Sequence, residues 1–123
     1  MQQPPFWRSL GYAAEGILHT VRSQRNARIH VTVLLLVVLA GWAFRISRLE
    51  WALVVLVSGL VLALETLNSA VEAFVDMVQP DHHPLAKVVK DASAGAVLLA
   101  ALTAALVGVL IFGPRVWHVV TGY

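Results

Sequence analysis

The 123-residue chain has no cysteine, so disulfides and thiolate metal sites are excluded and nothing is learned about redox compartment. Charge is scarce: 13% of residues are Asp, Glu, Lys or Arg, against about 25% in an ordinary soluble domain. Neither the glycine-rich phosphate loop ending in Lys-Ser or Lys-Thr nor the glycine loop and catalytic triplets of protein kinases occurs, so any nucleotide must be held by another arrangement. Internal repeats and low-complexity linkers are missing. No cleavable signal peptide is expected, because Arg8, Glu15, Arg22, Arg25 and Arg28 interrupt the first thirty residues. The net charge of +2 is small, and the basic residues sit beside apolar runs. That suits a membrane surface, and no nucleic acid partner is expected.

What is abundant is apolar surface, at 59% of residues. Three runs stand out: Ile29–Phe44, Trp51–Leu64 continuing past charged residues to Val75, and Ala92–Phe112. The third has 21 uncharged residues, about 31 Å of helix, which matches a hydrocarbon core of roughly 30 Å. The first, about 24 Å long, spans if Arg28, Arg45 and Arg48 snorkel outward. Taken to Met77 the second reaches about 40 Å, so its last turns should project from the bilayer. Ahead of these, Phe6, Leu10, Ala13, Ala14, Ile17 and Val21 recur at a helical period after the Pro4–Pro5 stop, which predicts an amphipathic helix in the interface. Small residues from Ala92 to Gly108 allow close helix approach. The expected fold is therefore all-α and integral to a membrane, one domain over 1–123, with a surface helix at about 6–25 and spans at about 28–47, 50–77 and 85–113. Arginines before the first span, with Lys87 and Lys90 after the second, outnumber Arg45, Arg48 and Arg115. The positive-inside rule then puts the N-terminus and the Met77–Lys90 loop in the cytoplasm.

Glu65, Asn68, Glu72 and Asp76 follow one another at spacings of three, four and four, within roughly an 80° arc of one helix. Ionisable groups at bilayer depth are costly and are usually functional. Measured from Trp51, Glu65 lies about 21 Å along the axis, still in hydrocarbon, while Glu72, at about 31 Å, is at the boundary. Lys90 and Asp91 sit at the matching boundary of the third span. A lipid alcohol could give its hydroxyl proton to a carboxylate at the depth of Glu65. A nucleotide phosphate could meet Glu72, Asp76, Asp91 and a lysine from the water, with Mg²⁺ on hard oxygen ligands.

The run Glu65-Thr-Leu-Asn68-Ser-Ala-Val-Glu72-Ala-Phe-Val-Asp76, followed by His83-Pro-Leu-Ala-Lys-Val-Val-Lys90-Asp91-Ala-Ser-Ala-Gly95, resembles the small prokaryotic diacylglycerol kinase family. Gly11-Tyr12 and Arg25-Asn26-Ala27-Arg28-Ile29-His30 extend the resemblance over nearly the whole chain. It implies a homotrimer of three-span protomers, each with a surface helix, in the bacterial cytoplasmic (inner) membrane. It further implies phosphorylation of a lipid alcohol with Mg²⁺ and ATP, which feeds lipid-carrier or phospholipid recycling. The His83-Pro-Leu-Ala-Lys87 segment is similar to the branch that prefers undecaprenol over diacylglycerol. Position by position, the resemblance makes Glu65 the general base and Glu72 a carboxylate holding Mg²⁺ on nucleotide phosphates, with Asn68 beside it. Lys90 and Asp91 become nucleotide contacts, and Tyr12, Asp81, His82 and His83 lie near the nucleoside. Leu18, His19, Thr20, Val21, Asn26, Ala27, Arg28, Ile29 and His30 become the wall that receives lipid, together with Glu65. One departure stands out: Gln24 occupies the place of a second metal-binding glutamate. Its amide oxygen can ligate Mg²⁺ but brings no negative charge.

Plainer readings exist for each residue. Glu65 and Asn68 could simply bond to neighbouring helices. Asp76 reads as a solvated helix-end residue, Lys87 as a headgroup contact, His82 and His83 as solvated loop histidines, and Tyr12 and Trp7 as interfacial aromatics. A different class of function, a small oligomeric transporter or channel with Glu65 as its proton or cation site, also fits a membrane carboxylate, as does a purely structural subunit. Three helices should shield the carboxylate line poorly, so another subunit is expected against that face.

Overall fold

The structure, a computed structural model, describes residues 2–123. It consists of four helices: α1 Phe6–Ser23, α2 Arg25–Phe44, α3 Arg48–Val78 and α4 Pro84–Thr121. The last three are each long and apolar enough to cross a bilayer. At 1.5 Å per residue they measure about 30, 46 and 57 Å, so α3 and α4 project beyond a hydrocarbon core of about 30 Å. Large apolar residues such as Leu35, Leu36, Leu39, Leu99 and Leu106 face outward. Exposure on that scale would be untenable in water and is ordinary against lipid. The protein is an all-helical membrane protein.

Local chemistry explains where each helix stops. Between α1 and α2 only Gln24 is non-helical, with φ −105° and ψ 118°. The Arg28 guanidinium reaches back to the Val21 and Arg22 carbonyls (3.4 and 2.7 Å), covering α1's last carbonyls, which have no partner within their own helix. α2 ends as Arg45 turns left-handed (φ 51°). The Arg45 and Ile46 amides then donate to Trp42 and Gly41 respectively, a Schellman closure. Ser47 caps α3 and exchanges hydrogen bonds with Glu50 in a capping box. The α3–α4 loop ends at His83, whose Nδ1 accepts the Leu85 amide at 3.1 Å, with Pro84 at the helical position that has no amide to lose.

α4 is longer than its apolar run. It passes through Pro114 and continues to Thr121. Proline removes one helical hydrogen bond, and just beyond it Arg115 bonds to the Ile111 carbonyl (2.6 Å) and holds Glu50 with both nitrogens at 2.8 Å. A bidentate pair of this kind fixes orientation as well as position, and here it fastens the start of α3 to the far end of α4.

α3 and α4 pack along their lengths as an antiparallel pair, with α2 laid mainly against α3 and α1 touching α2 and α3. At the 45–47 end, Ile46, Val54 and Ile111 form a small core backed by Val37, Phe44, Trp51, Val107 and Phe112. Gly41 is required there: a Cβ would lie 2.7 Å from the Trp51 ring. The other end of the bundle, by the 79–83 loop, is more open and carries the polar residues.

Candidate active site

α3 presents Glu65, Asn68, Glu72 and Asp76 as a gradient of burial. Glu65 is only 1% exposed and Asn68 only 6%; Glu72 is half-buried and Asp76 exposed. The expectation that a single protomer shields this line poorly is corrected for its deep half. Residues of two neighbouring helices surround Glu65, with Asn26, Ile29 and His30 of α2 and Val97 and Ala101 of α4 lining the same cavity. The outer half remains open, as the sequence implies.

At the deep end, Glu65 and Asn68 share a cavity of about 250 Å³ with Asn26, Ile29 and His30 of α2 and Ala94, Val97, Leu98 and Ala101 of α4. Glu65 therefore faces the space between α2 and α4. His30 Nε2 is 3.9 Å from Glu65 Oε2. The Asn68 side-chain oxygen is buried without a hydrogen-bond partner, and a buried polar atom of that kind calls for a donor. His30 also borders an apolar groove of about 200 Å³ that runs between α2, α3 and α4 past Val33, Val57 and Ala104.

Two turns of α3 nearer the loop, Gln24 Nε2 donates to Glu72 Oε2 at 3.2 Å. The non-helical kink at Gln24 thus brings its amide onto α3, 48 residues away in sequence. Among the described residues, no three His, Asp or Glu side chains converge as a metal cage. Mg²⁺ seldom needs one, since it usually binds through one or two carboxylates, waters and substrate phosphates. Glu72 with Gln24 is a minimal set of that type, provided the amide rotates to offer its oxygen.

At the loop end, Asp81, His82, His83, Lys87, Lys90 and Asp91 line one groove of about 450 Å³ with Asp76. Lys90 bonds to Asp76 across the α3–α4 pair, and Lys87 bonds to Asp91 along α4. Asp76, read from sequence as a solvated helix end, is thus tied to a residue of the site. The signal lay in the hairpin register, since both residues border the 79–83 turn on facing helices. Ser69, buried beside Asn68 at 7% exposure, is a further polar residue that sequence reasoning did not single out.

Other expected residues fall elsewhere. Tyr12 is exposed on α1 and does not line the loop-end groove. His83 already spends its Nδ1 on capping α4. Of the expected lipid wall, Asn26, Ile29 and His30 line the Glu65 cavity, whereas Arg28 serves the α1–α2 joint. Thr20 is buried with its hydroxyl donated to Gly16, and Leu18 and His19 are exposed.

Fold and site together define a small polytopic membrane enzyme with a carboxylate sealed at lipid depth and a mixed-charge groove at one end. A family model described as prokaryotic diacylglycerol kinase matches residues 11–112, and the chain belongs to that family. It is a lipid kinase. It is 40% identical over 110 residues to an undecaprenol kinase of Bacillus subtilis, covering 89% of each chain. Diacylglycerol kinases of Synechocystis and Pseudomonas aeruginosa are 43% and 44% identical, over 81% and 73% of this chain and 58% and 73% of theirs.

Proposed function

We propose that this lipid kinase transfers the terminal phosphoryl group of ATP to the hydroxyl of undecaprenol, in preference to diacylglycerol, at the cytoplasmic face of the bacterial inner membrane. The observation that carries this reading is the burial gradient along one face of α3, from sealed Glu65 to the water-exposed pair of Asp76 with Lys90. Two insoluble-in-each-other substrates need such a seam. The likeness to an undecaprenol kinase over 89% of both chains favours a polyprenol, and the apolar groove that begins at His30 suits a long hydrocarbon tail.

Glu65 is the general base: it takes the proton of the lipid hydroxyl as the oxygen attacks the terminal phosphorus. Asn68, in the same cavity, can orient that hydroxyl by donating its amide N–H to the hydroxyl oxygen. Lys90 leaves Asp76 to meet a phosphate as a point charge, and Asp91 and the 81–83 loop border the nucleotide. Glu72 and Gln24 would hold Mg²⁺, which would supply charge neutralisation at the phosphates. Three protomers assemble as a homotrimer, with the N-terminus in the cytoplasm.

The test is label transfer from γ-labelled ATP by purified protein in lipid bicelles containing undecaprenol, diacylglycerol or neither. The expected product is undecaprenyl phosphate, formed faster than phosphatidic acid. Faster diacylglycerol turnover would overturn the lipid assignment, and no transfer to either lipid, with ion flux in liposomes, the whole reading.

A further inference from the structure

We infer that His30 is the proton outlet of Glu65, a positioning residue that acts on the reaction through that carboxylate; the inference rests on the lipid kinase reading with Glu65 as base. Moving a phosphoryl group from ATP to an alcohol breaks the O–H bond of the lipid and the bond from the terminal phosphorus to the bridging oxygen. The alkoxide oxygen bonds to phosphorus, the bridging electron pair leaves with ADP, and one proton is left over at neutral pH. Glu65 receives that proton and must lose it before the next turnover.

Water is poorly placed to remove it, because Glu65 is 1% exposed. Protein routes are few. Asn26, Ile29, Asn68, Ala94, Val97, Leu98 and Ala101 complete the cavity, and none of them titrates. Glu72 lies two turns away, about 10 Å along α3, with one carboxylate oxygen engaged by Gln24. Among the described titratable side chains His30 is the near one, with Nε2 at 3.9 Å from Glu65 Oε2. That gap exceeds a hydrogen bond, and a small side-chain rotation or one bridging water closes it.

The imidazole also has a way out. Its side chain is 23% exposed against 2% for that of Glu65, and it lies five residues into α2, about 7.5 Å from the helix start. One ring nitrogen can take the proton from Glu65 while the other releases its own to water, the shuttle function for which histidine is suited. The same ring forms the boundary between the Glu65 cavity and the apolar groove, so the outlet sits where the lipid hydroxyl would enter.

The test compares wild type, His30→Gln and His30→Ala in the bicelle assay, with nucleotide affinity and thermal unfolding measured alongside. His30→Gln keeps size and polarity but cannot carry the proton, so kcat should fall about a hundredfold with KM for ATP and lipid within about twofold. Adding imidazole should restore His30→Ala by about tenfold or more, and should do nothing for Glu65→Gln. Wild-type kcat in His30→Gln would overturn the outlet, as would a defect confined to lipid KM with no imidazole rescue, which would mark His30 as wall alone. Absence of lipid phosphorylation by wild type would remove the kinase reading itself, and the outlet with it.

Discussion

At the scale of single residues, the chemistry is divided along α3 by depth. Glu65→Gln removes a proton acceptor without changing shape. Because Glu65 lines none of the loop-end groove, turnover should fall by about a hundredfold or more, while binding of a fluorescent ATP analogue is unchanged. Lys90→Ala deletes a phosphate partner and frees Asp76, so KM for ATP should rise by about tenfold with a smaller change in kcat. Gln24 offers a sharper test of the Mg²⁺ assignment. Its amide now donates to Glu72, and Gln24→Glu would set two carboxylates against each other. Without metal that variant should unfold at a lower temperature than wild type; with Mg²⁺ and nucleotide it should recover and bind the ion more tightly, as titration calorimetry would report. The line of carboxylates was legible from spacing alone, because a helix puts residues three and four apart on one face. The Lys90–Asp76 bond was not, since it depends on how far α4 slides along α3.

Elements show a different balance. The apolar runs and the Pro4–Pro5 and Pro80–Pro84 stops announce four helices, yet two features lay beyond pattern reading. α4 continues through Pro114, and just beyond it Arg115 bonds to the Ile111 carbonyl and Glu50 at once. The α1–α2 break falls on Gln24, a residue with no special turn preference, because Arg28 takes over the carbonyls at the end of α1. The joint between α2 and α3 is testable by packing. Gly41→Ala would bring a methyl within 2.7 Å of Trp51, and overfilling a packed site costs about 1–3 kcal/mol. The variant should melt measurably lower, and Trp51→Leu in the same chain should recover part of the loss, as expected of residues in contact.

For the whole molecule, the absence of native cysteine makes orientation simple to measure. Single replacements Ser47→Cys and Gln79→Cys mark the two ends of α3. With the N-terminus inside, an impermeant maleimide added to intact cells should label Ser47→Cys and leave Gln79→Cys untouched until the cells are opened. The reverse pattern would invert the topology. Native mass spectrometry from detergent should give three copies. Because one protomer already buries Glu65 and Asn68, what a partner subunit would cover is the open part of the line, Glu72 and Asp76.

Composition and period by themselves determined that this chain is helical, membrane-embedded and lined on one face by acids, since burying bare backbone in lipid permits little else and 3.6 residues per turn does the rest. Tertiary structure decided that a single protomer already encloses Glu65 and Asn68, that Gln24 meets Glu72 and that His30 stands beside Glu65. Those outcomes depend on how closely the helices pack and on the register between them, quantities set by side-chain volumes acting across the bundle and therefore invisible along the chain.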